Sequence, residues 1–167
     1  MWPIVWTAGA GVNPEDIIGA LVSLFRDIPE LVTAMGGDED RIYSYVDRYP
    51  SNVSLETAKY QMPAPGIMVV WQGSGPGRFG GFEAWKHEIS IFCRAGEGSE
   101  STPSGYWELF RLIVKGVPTA AAPQQMQYVE VHPACQPMDT PSMRRQTDQA
   151  GVDYFEVSMT FTENGDN

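Results

Sequence analysis

From Phe155 to Thr162 the chain alternates without a break. Phe155, Val157, Met159 and Phe161 fall on one side, and Glu156, Ser158, Thr160 and Thr162 on the other. A period of two predicts a strand with one face on a core and the other in water. The stretch lies where a catalytic chain would place a last active residue, and it offers none. Two further segments share this grammar. Gly66-Ile-Met-Val-Val-Trp71 predicts a buried strand by its continuous apolar run. Ala84 to Arg94 places Trp85, His87, Ile89, Ile91 and Cys93 on one face and Lys86, Glu88, Ser90 and Arg94 on the other. Between them lies Gly73-Ser-Gly-Pro-Gly-Arg-Phe-Gly-Gly81, which predicts a long-looped β-hairpin.

The helices announce themselves by their ends. Asn13 caps, Pro14 occupies the first turn and Glu15 and Asp16 face the positive end of the helix dipole. Ile17, Ile18, Leu21, Val22, Leu24 and Phe25 form the apolar stripe. Pro29 breaks or kinks the helix, Leu31, Val32 and Met35 extend it, and Gly36-Gly37 ends it. Thr102-Pro103 opens a second helix to about Lys115, with Tyr106, Leu109, Phe110, Ile113 and Val114 inward and Gly116 as the stop. Arg41 to Tyr45 suggests a short strand, residues 47 to 65 an irregular connection, Tyr128 to His132 a strand, and Pro133 to Ala150 a Pro-rich loop. The expected fold is α+β: a largely antiparallel sheet with two main helices packed on one side. The expected organisation is an N-terminal arm over 1–12 and one domain over 13–167.

At 167 residues such a domain buries about two thirds of the surface its unfolded chain exposes. A 43% hydrophobic fraction with 11% aromatics predicts a globular, soluble protein. The net charge of −10 argues against a nucleic-acid-binding face, which needs clustered Lys and Arg. The only adjacent basic pair is Arg144-Arg145. It is open to two readings: partners for acidic groups of a neighbouring subunit, or solvated surface arginines. No span approaches the ~20 apolar residues needed to cross a bilayer. The opening Met-Trp-Pro-Ile-Val-Trp lacks the features of a signal peptide, so a cytoplasmic chain is expected. Its Trp2 and Trp6 would be a solubility liability if bare, which places the arm either on its own domain or on a neighbour.

Motifs for chemistry are weak. Gly75-Pro-Gly-Arg-Phe-Gly80 is a literal GxGxxG, but strand pattern follows it instead of the helix that would hold a pyrophosphate. A mobile hairpin tip offering Arg78, Phe79 and Phe82 as contacts is the expected role, since interfaces favour those residue types. His87 lies on an apolar strand face and is expected to be a satisfied core histidine. Cys93 and Cys135 are expected to be buried thiols in a reducing compartment. With His132 these residues lack any metal-ligand spacing, so no metal is expected. Asp139, Ser142 and His132 could be imagined as a triad, yet Asp139-Thr-Pro-Ser142 is expected to be turn and cap chemistry. No catalytic residue and no cofactor is expected, and the chain is not expected to be an enzyme.

The order of these elements resembles that of the tail terminator (tail completion, or neck) proteins of long-tailed bacteriophages. The likeness is carried by Asp27-Ile-Pro-Glu-Leu31 with Gly36-Gly37, by Pro65-Gly-Ile-Met-Val-Val-Trp71 before the glycine-rich segment, and by Trp85-Lys-His-Glu-Ile-Ser-Ile-Phe92. It continues through Tyr106-Trp-Glu-Leu-Phe-Arg-Leu-Ile113 with Gly116-Val-Pro118, Pro137-Met138, Pro141-Ser-Met-Arg-Arg145 and Gly151-Val-Asp-Tyr-Phe-Glu-Val157. Together these span about residues 14 to 166, and their order is more specific than any one of them.

The resemblance implies a virion structural protein, assembled in the host cytoplasm, that forms a homo-oligomeric ring, expected to be a hexamer. Such a ring caps the head-proximal end of the tail tube, ends tube polymerisation and joins the tail to the head connector. Its implied partners are its own copies, the tail tube protein and the connector or stopper protein, with DNA passing through the lumen unbound and no membrane involved. The implied contacts are the 73 to 83 hairpin tip, the 133 to 150 loop and the N-terminal arm. The alternatives are a head-completion or stopper protein of the neck, or a small ligand-binding domain using the Gly-rich loop.

Overall fold

A computed structural model of the chain describes residues 12–49, 53–79, 82–96, 102–116, 135–137, 141–147 and 153–163. The N-terminal arm with Trp2 and Trp6, the expected strand at 128–132, and Asp139 and His132 lie outside the described residues.

Helix α1 (Pro14–Arg26) begins as its sequence demands: the Asn13 side chain accepts from the Glu15 amide at 3.0 Å, with Pro14 in the first turn. Its apolar stripe, Ile17, Ile18, Leu21, Val22 and Phe25, is buried. Pro29 opens a separate short helix α2 (Pro29–Ala34). It ends at Gly36 and Gly37, whose φ values of 75° and 80° suit glycine, and the Gly37 amide donates back to Val32 O at 2.9 Å. The Arg26 guanidinium ties the end of α1 forward, its Nε donating to Ile42 O at 2.9 Å.

That contact leads into strand β1 (Ile42–Ser44), then helices α3 (Tyr45–Arg48) and α4 (Leu55–Tyr60). The expected irregular connection over 47–65 therefore holds helical turns. Each is opened by a serine cap, Ser44 accepting from the Asp47 amide and Ser54 from the Thr57 amide. These helices are too short for an apolar stripe to declare itself in the sequence.

Strands β2 (Gly66–Phe79) and β3 (Phe82–Arg94) form the long hairpin. Helix α5 (Pro103–Gly116) follows, then β4 (Cys135–Pro137), β5 (Ser142–Thr147) and β6 (Asp153–Glu163). The six strands form one sheet in the order β1-β2-β3-β6-β4, with β5 also on β6. Among the described strands only the β1–β2 pair is parallel. The fold is α+β, as the patterning predicts. Strand β6 lies inside the sheet, with Ile89 opposite Met159 and Ile91 opposite Val157.

The two main helices share one side of the sheet, as expected, but the short helices α3 and α4 lie on the other. On one face α1, α2 and α5 cover Ile67, Val69, Ile89, Ile91, Cys93, Val157, Met159 and Phe161. Tyr106 of α5 fastens this layer: its hydroxyl accepts from the Ala95 amide at 3.0 Å, and its ring lies 4.1 Å from that of Phe155. On the opposite face a second, smaller cluster joins Tyr43, Ala58, Met62, Met68, Val70, Phe92 and Tyr154 under the α3–α4 segment. The continuous apolar run Ile67 to Val70 is thus explained by a strand covered on both faces.

The approach to β2 is tight. A Cβ placed on Gly66 would lie 2.5 Å from the Pro63 carbonyl oxygen and 3.0 Å from its Cγ. Because the nearest atom is backbone, the chain itself would have to shift. Gly66→Ala is expected to lower unfolding free energy by about 1–3 kcal/mol in urea titration, the usual cost of overpacking; an unchanged midpoint would show that the Pro63 turn yields freely.

Candidate interaction surface

The glycine-rich segment is not a loop. After a register shift between Trp71 and Gly73 the ladder resumes, pairing Gly73 with Glu88, Ser74 with His87, Gly75 with Lys86 and Pro76 with Trp85, and continues to Phe79 opposite Phe82. Gly73, with φ of 154°, sits at the irregularity and needs the freedom of glycine. The partner strand supplies the order here. Alternating β3 offers amides and carbonyls to whatever lies beside it, and glycine adopts the extended conformation as readily as a turn. Arg78, Phe79 and Phe82 therefore belong to paired strands at the far end of the hairpin, not to a free tip. The GxGxxG reading loses its context as well, because Gly75 and Gly77 lie in this ladder.

The hairpin outruns the sheet. Strand β6 accompanies β3 only as far as Lys86, and β1 accompanies β2 only over Ile67–Val69. Beyond Gly75 and Lys86 β2 and β3 form a two-stranded ribbon. Trp85, one residue past the last β3–β6 pair, stands 42% exposed. Trp71, past the end of β1 but opposite Ile89 where β6 still accompanies β3, stands 45% exposed, although both positions pattern as core. Pattern alone gives the face of a strand but not where its cover ends. The bulge between them carries a chain of hydrogen bonds: Trp71 Nε1 donates to Ser74 Oγ at 3.1 Å, and Ser74 Oγ lies 2.6 Å from His87 Nδ1. His87 is buried at 3%, as expected of a core histidine. The Ser74 hydroxyl takes the indole N–H and meets the imidazole, so it bridges β2 to β3 across the bulge.

The expected loop over 133–150 contains β4 and β5 in its described part. Both lie on the same side of β6, β5 along Asp153–Ser158 and β4 along Phe161–Glu163. Arg144 and Arg145 are strand residues at this outer edge, both exposed. Arg145 Nη2 pairs with Asp153 Oδ2, which with the Thr147 hydroxyl holds the Asp153 carboxyl below its ordinary range. Both groups are well exposed, so the pair adds little to stability. Arg144 lies opposite Glu156 in the register. Glu156 is already engaged, accepting from Ser90 Oγ at 2.6 Å and from Gln146 Nε2, while Tyr154 donates to Gln146 Oε1 at 2.7 Å. This network joins β3, β6 and β5.

The hairpin residues and the arginine pair sit at opposite sides of the sheet and are not brought together within the chain. Between them, on the α3–α4 face, Lys59 Nζ lies 2.7 Å from Glu56 Oε1 and 5.1 Å and 5.6 Å from the Phe92 and Tyr154 ring centroids. Burial works against the Lys59 charge, but Glu56 and Tyr154 more than offset it and its pKa rises. The contacts of Lys59 are those of a fastening between helix and sheet.

Among the described residues no three or more His, Cys, Asp or Glu come together as a metal site. An apolar cleft of about 200 Å³ between α2 and α5 is lined by Ala34, Ala95, Gly105, Leu109 and Leu112, with Glu108 the one charged residue. No described helix is long and apolar enough to cross a membrane. Models of known protein families give no match to the chain, and no curated protein matches it.

Proposed function

We propose that the chain is a ring-forming structural protein of a phage tail, capping the head-proximal end of the tail tube, ending its polymerisation and joining it to the head connector. The reading places it in the virion, at the neck. It rests on the ordered likeness carried by residues 14 to 166. The observation that carries it furthest is the β2–β3 hairpin, which runs beyond its own sheet and holds Trp85 at the start of that overhang and Trp71 just short of it half exposed. Two large aromatics outside the core, on a rigid ladder, suit contact with another protein surface. A ring assembled through such surfaces leaves its acidic charge to face passing DNA, which it repels.

Native mass spectrometry and negative-stain microscopy of the full chain, with and without tail tubes, test the reading. Rings that seat on one end of a tube and stop its growth are expected. A chain that stays monomeric beside tail tubes would overturn it. Rings that ignore tubes but bind the head connector would replace it with the head-completion role.

A further inference from the structure

Among the described residues the outer edges of β1, β4 and β5 and the part of β2 beyond Val69 are unpaired. Strand β2 has β3 on one side, and beyond Val69 nothing pairs with its other side; β5 is paired only with β6. An open edge is a row of backbone donors and acceptors whose natural complement is another extended strand. We propose that β5 of one copy pairs with the open half of β2 in the next, so that the sheet continues from subunit to subunit. This deepens the ring reading, on which it rests, by naming its subunit interface.

Strand direction favours this pairing. Antiparallel steps from β2 to β3, β3 to β6 and β6 to β5 leave β5 running opposite to β2. A second copy placed alongside in the same orientation therefore presents β5 to β2 antiparallel, the commoner arrangement. Joining unlike edges is a head-to-tail contact, and the twist of each strand step turns successive copies steadily, as a ring or helix requires.

The side chains match on both faces. On the helix-bearing face Trp71 of one copy meets the side of β5 that carries half-buried Met143 and exposed Arg145, an apolar and cationic complement to a half-exposed indole. On the opposite face β2 presents Gly73 and Gly75, where an added Cβ would meet nothing within 4 Å. Their partners on β3 are Glu88 and Lys86, the Glu88 carboxylate 3.6 Å from Lys86 Nζ and mostly exposed. Arg144 projects on this same face of β5. The glycines leave its guanidinium a clear track across β2 to Glu88, two strand spacings or about 10 Å away between backbones, within the combined reach of the two side chains. A bulkier residue at 73 or 75 would close that track.

Sedimentation velocity on the full chain tests the pairing through a charge exchange. Arg144→Glu and Glu88→Lys are each expected to weaken self-association by about tenfold or more, and the double substitution to restore it to within about threefold of the wild type. Both residues are exposed, and circular dichroism checks that the variants fold. Wild-type protein that never associates, a single variant that associates like the wild type, or a double variant no better than the singles would overturn the proposal. Open filaments that respond to the exchange but ignore tail tubes keep the edge pairing and overturn the tail reading. Rings that seat on tubes and ignore both substitutions keep the tail reading and overturn the edge pairing.

Discussion

Phe161→Ala is expected to destabilise the domain by about 3–5 kcal/mol, the range for emptying an aromatic site in a core. Phe161 is fully buried, lies opposite His87 on one neighbouring strand and Pro137 on the other, and belongs to the cluster under α1, α2 and α5. Sheet and helix layers enclose it, so the site cannot collapse around the missing ring. Against a typical domain stability of about 5–15 kcal/mol, such a loss leaves little in reserve. Ser158→Ala, three residues earlier on the exposed side of the same strand, is expected to move stability by less than about 0.5 kcal/mol. Urea titration of the two variants checks the orientation of β6. Equal effects at the two positions would mean that the strand does not separate a core face from a solvent face.

The second large effect concerns Cys93. Its thiol is buried, and loss of hydration pushes its pKa from the ordinary 9.0 up to about 12. A rise of that size cuts the thiolate fraction at pH 8 by about a thousandfold, since each pH unit counts tenfold. In a Cys135→Ala background, a disulfide-exchange reagent at pH 8 is expected to label the native chain at least about 10³ times more slowly than the urea-unfolded one. Labelling within tenfold of the unfolded rate would mean that β3 opens freely at that point. The same shift makes stability depend on alkali. The folded thiol titrates above the unfolded one, so its contribution is fully present below pH 9 and is lost as pH rises toward about 12. Burial raises the Tyr43 and Tyr106 phenols in the same sense.

Much of the scaffold was legible in residue pattern. The N-caps of α1 and α5 are local chemistry, set by Asn13-Pro14 and Thr102-Pro103, and α1 stops at Asp27, just ahead of Pro29. The alternation of β3 and β6 gave their core faces correctly at Ile89, Ile91, Val157, Met159 and Phe161. His87 and Cys93 were rightly placed inside. The short elements were not legible. Helices α3 and α4 span four and six residues and show only their serine caps.

Sequence alone determined which residues face inward along each strand, because the period of two follows from backbone geometry whatever the neighbours are. It also set where the long helices begin, because their caps act within one turn. Only the tertiary structure decided where that inward face stops being covered. Trp71 and Trp85 share a face with Ile89 and Ile91, yet stand half exposed, outside the cluster that the helices cover. Tertiary pairing also turned Gly73–Phe79 and Ser142–Thr147 from apparent loops into strands. Glycine and arginine state no preference strong enough to resist a partner strand, so the neighbour's hydrogen bonds decide. The closing strand shows both halves of the lesson. Its alternation foretold a core face and a polar face, but only the fold placed it inside the sheet, with β3 on one side and β4 and β5 on the other.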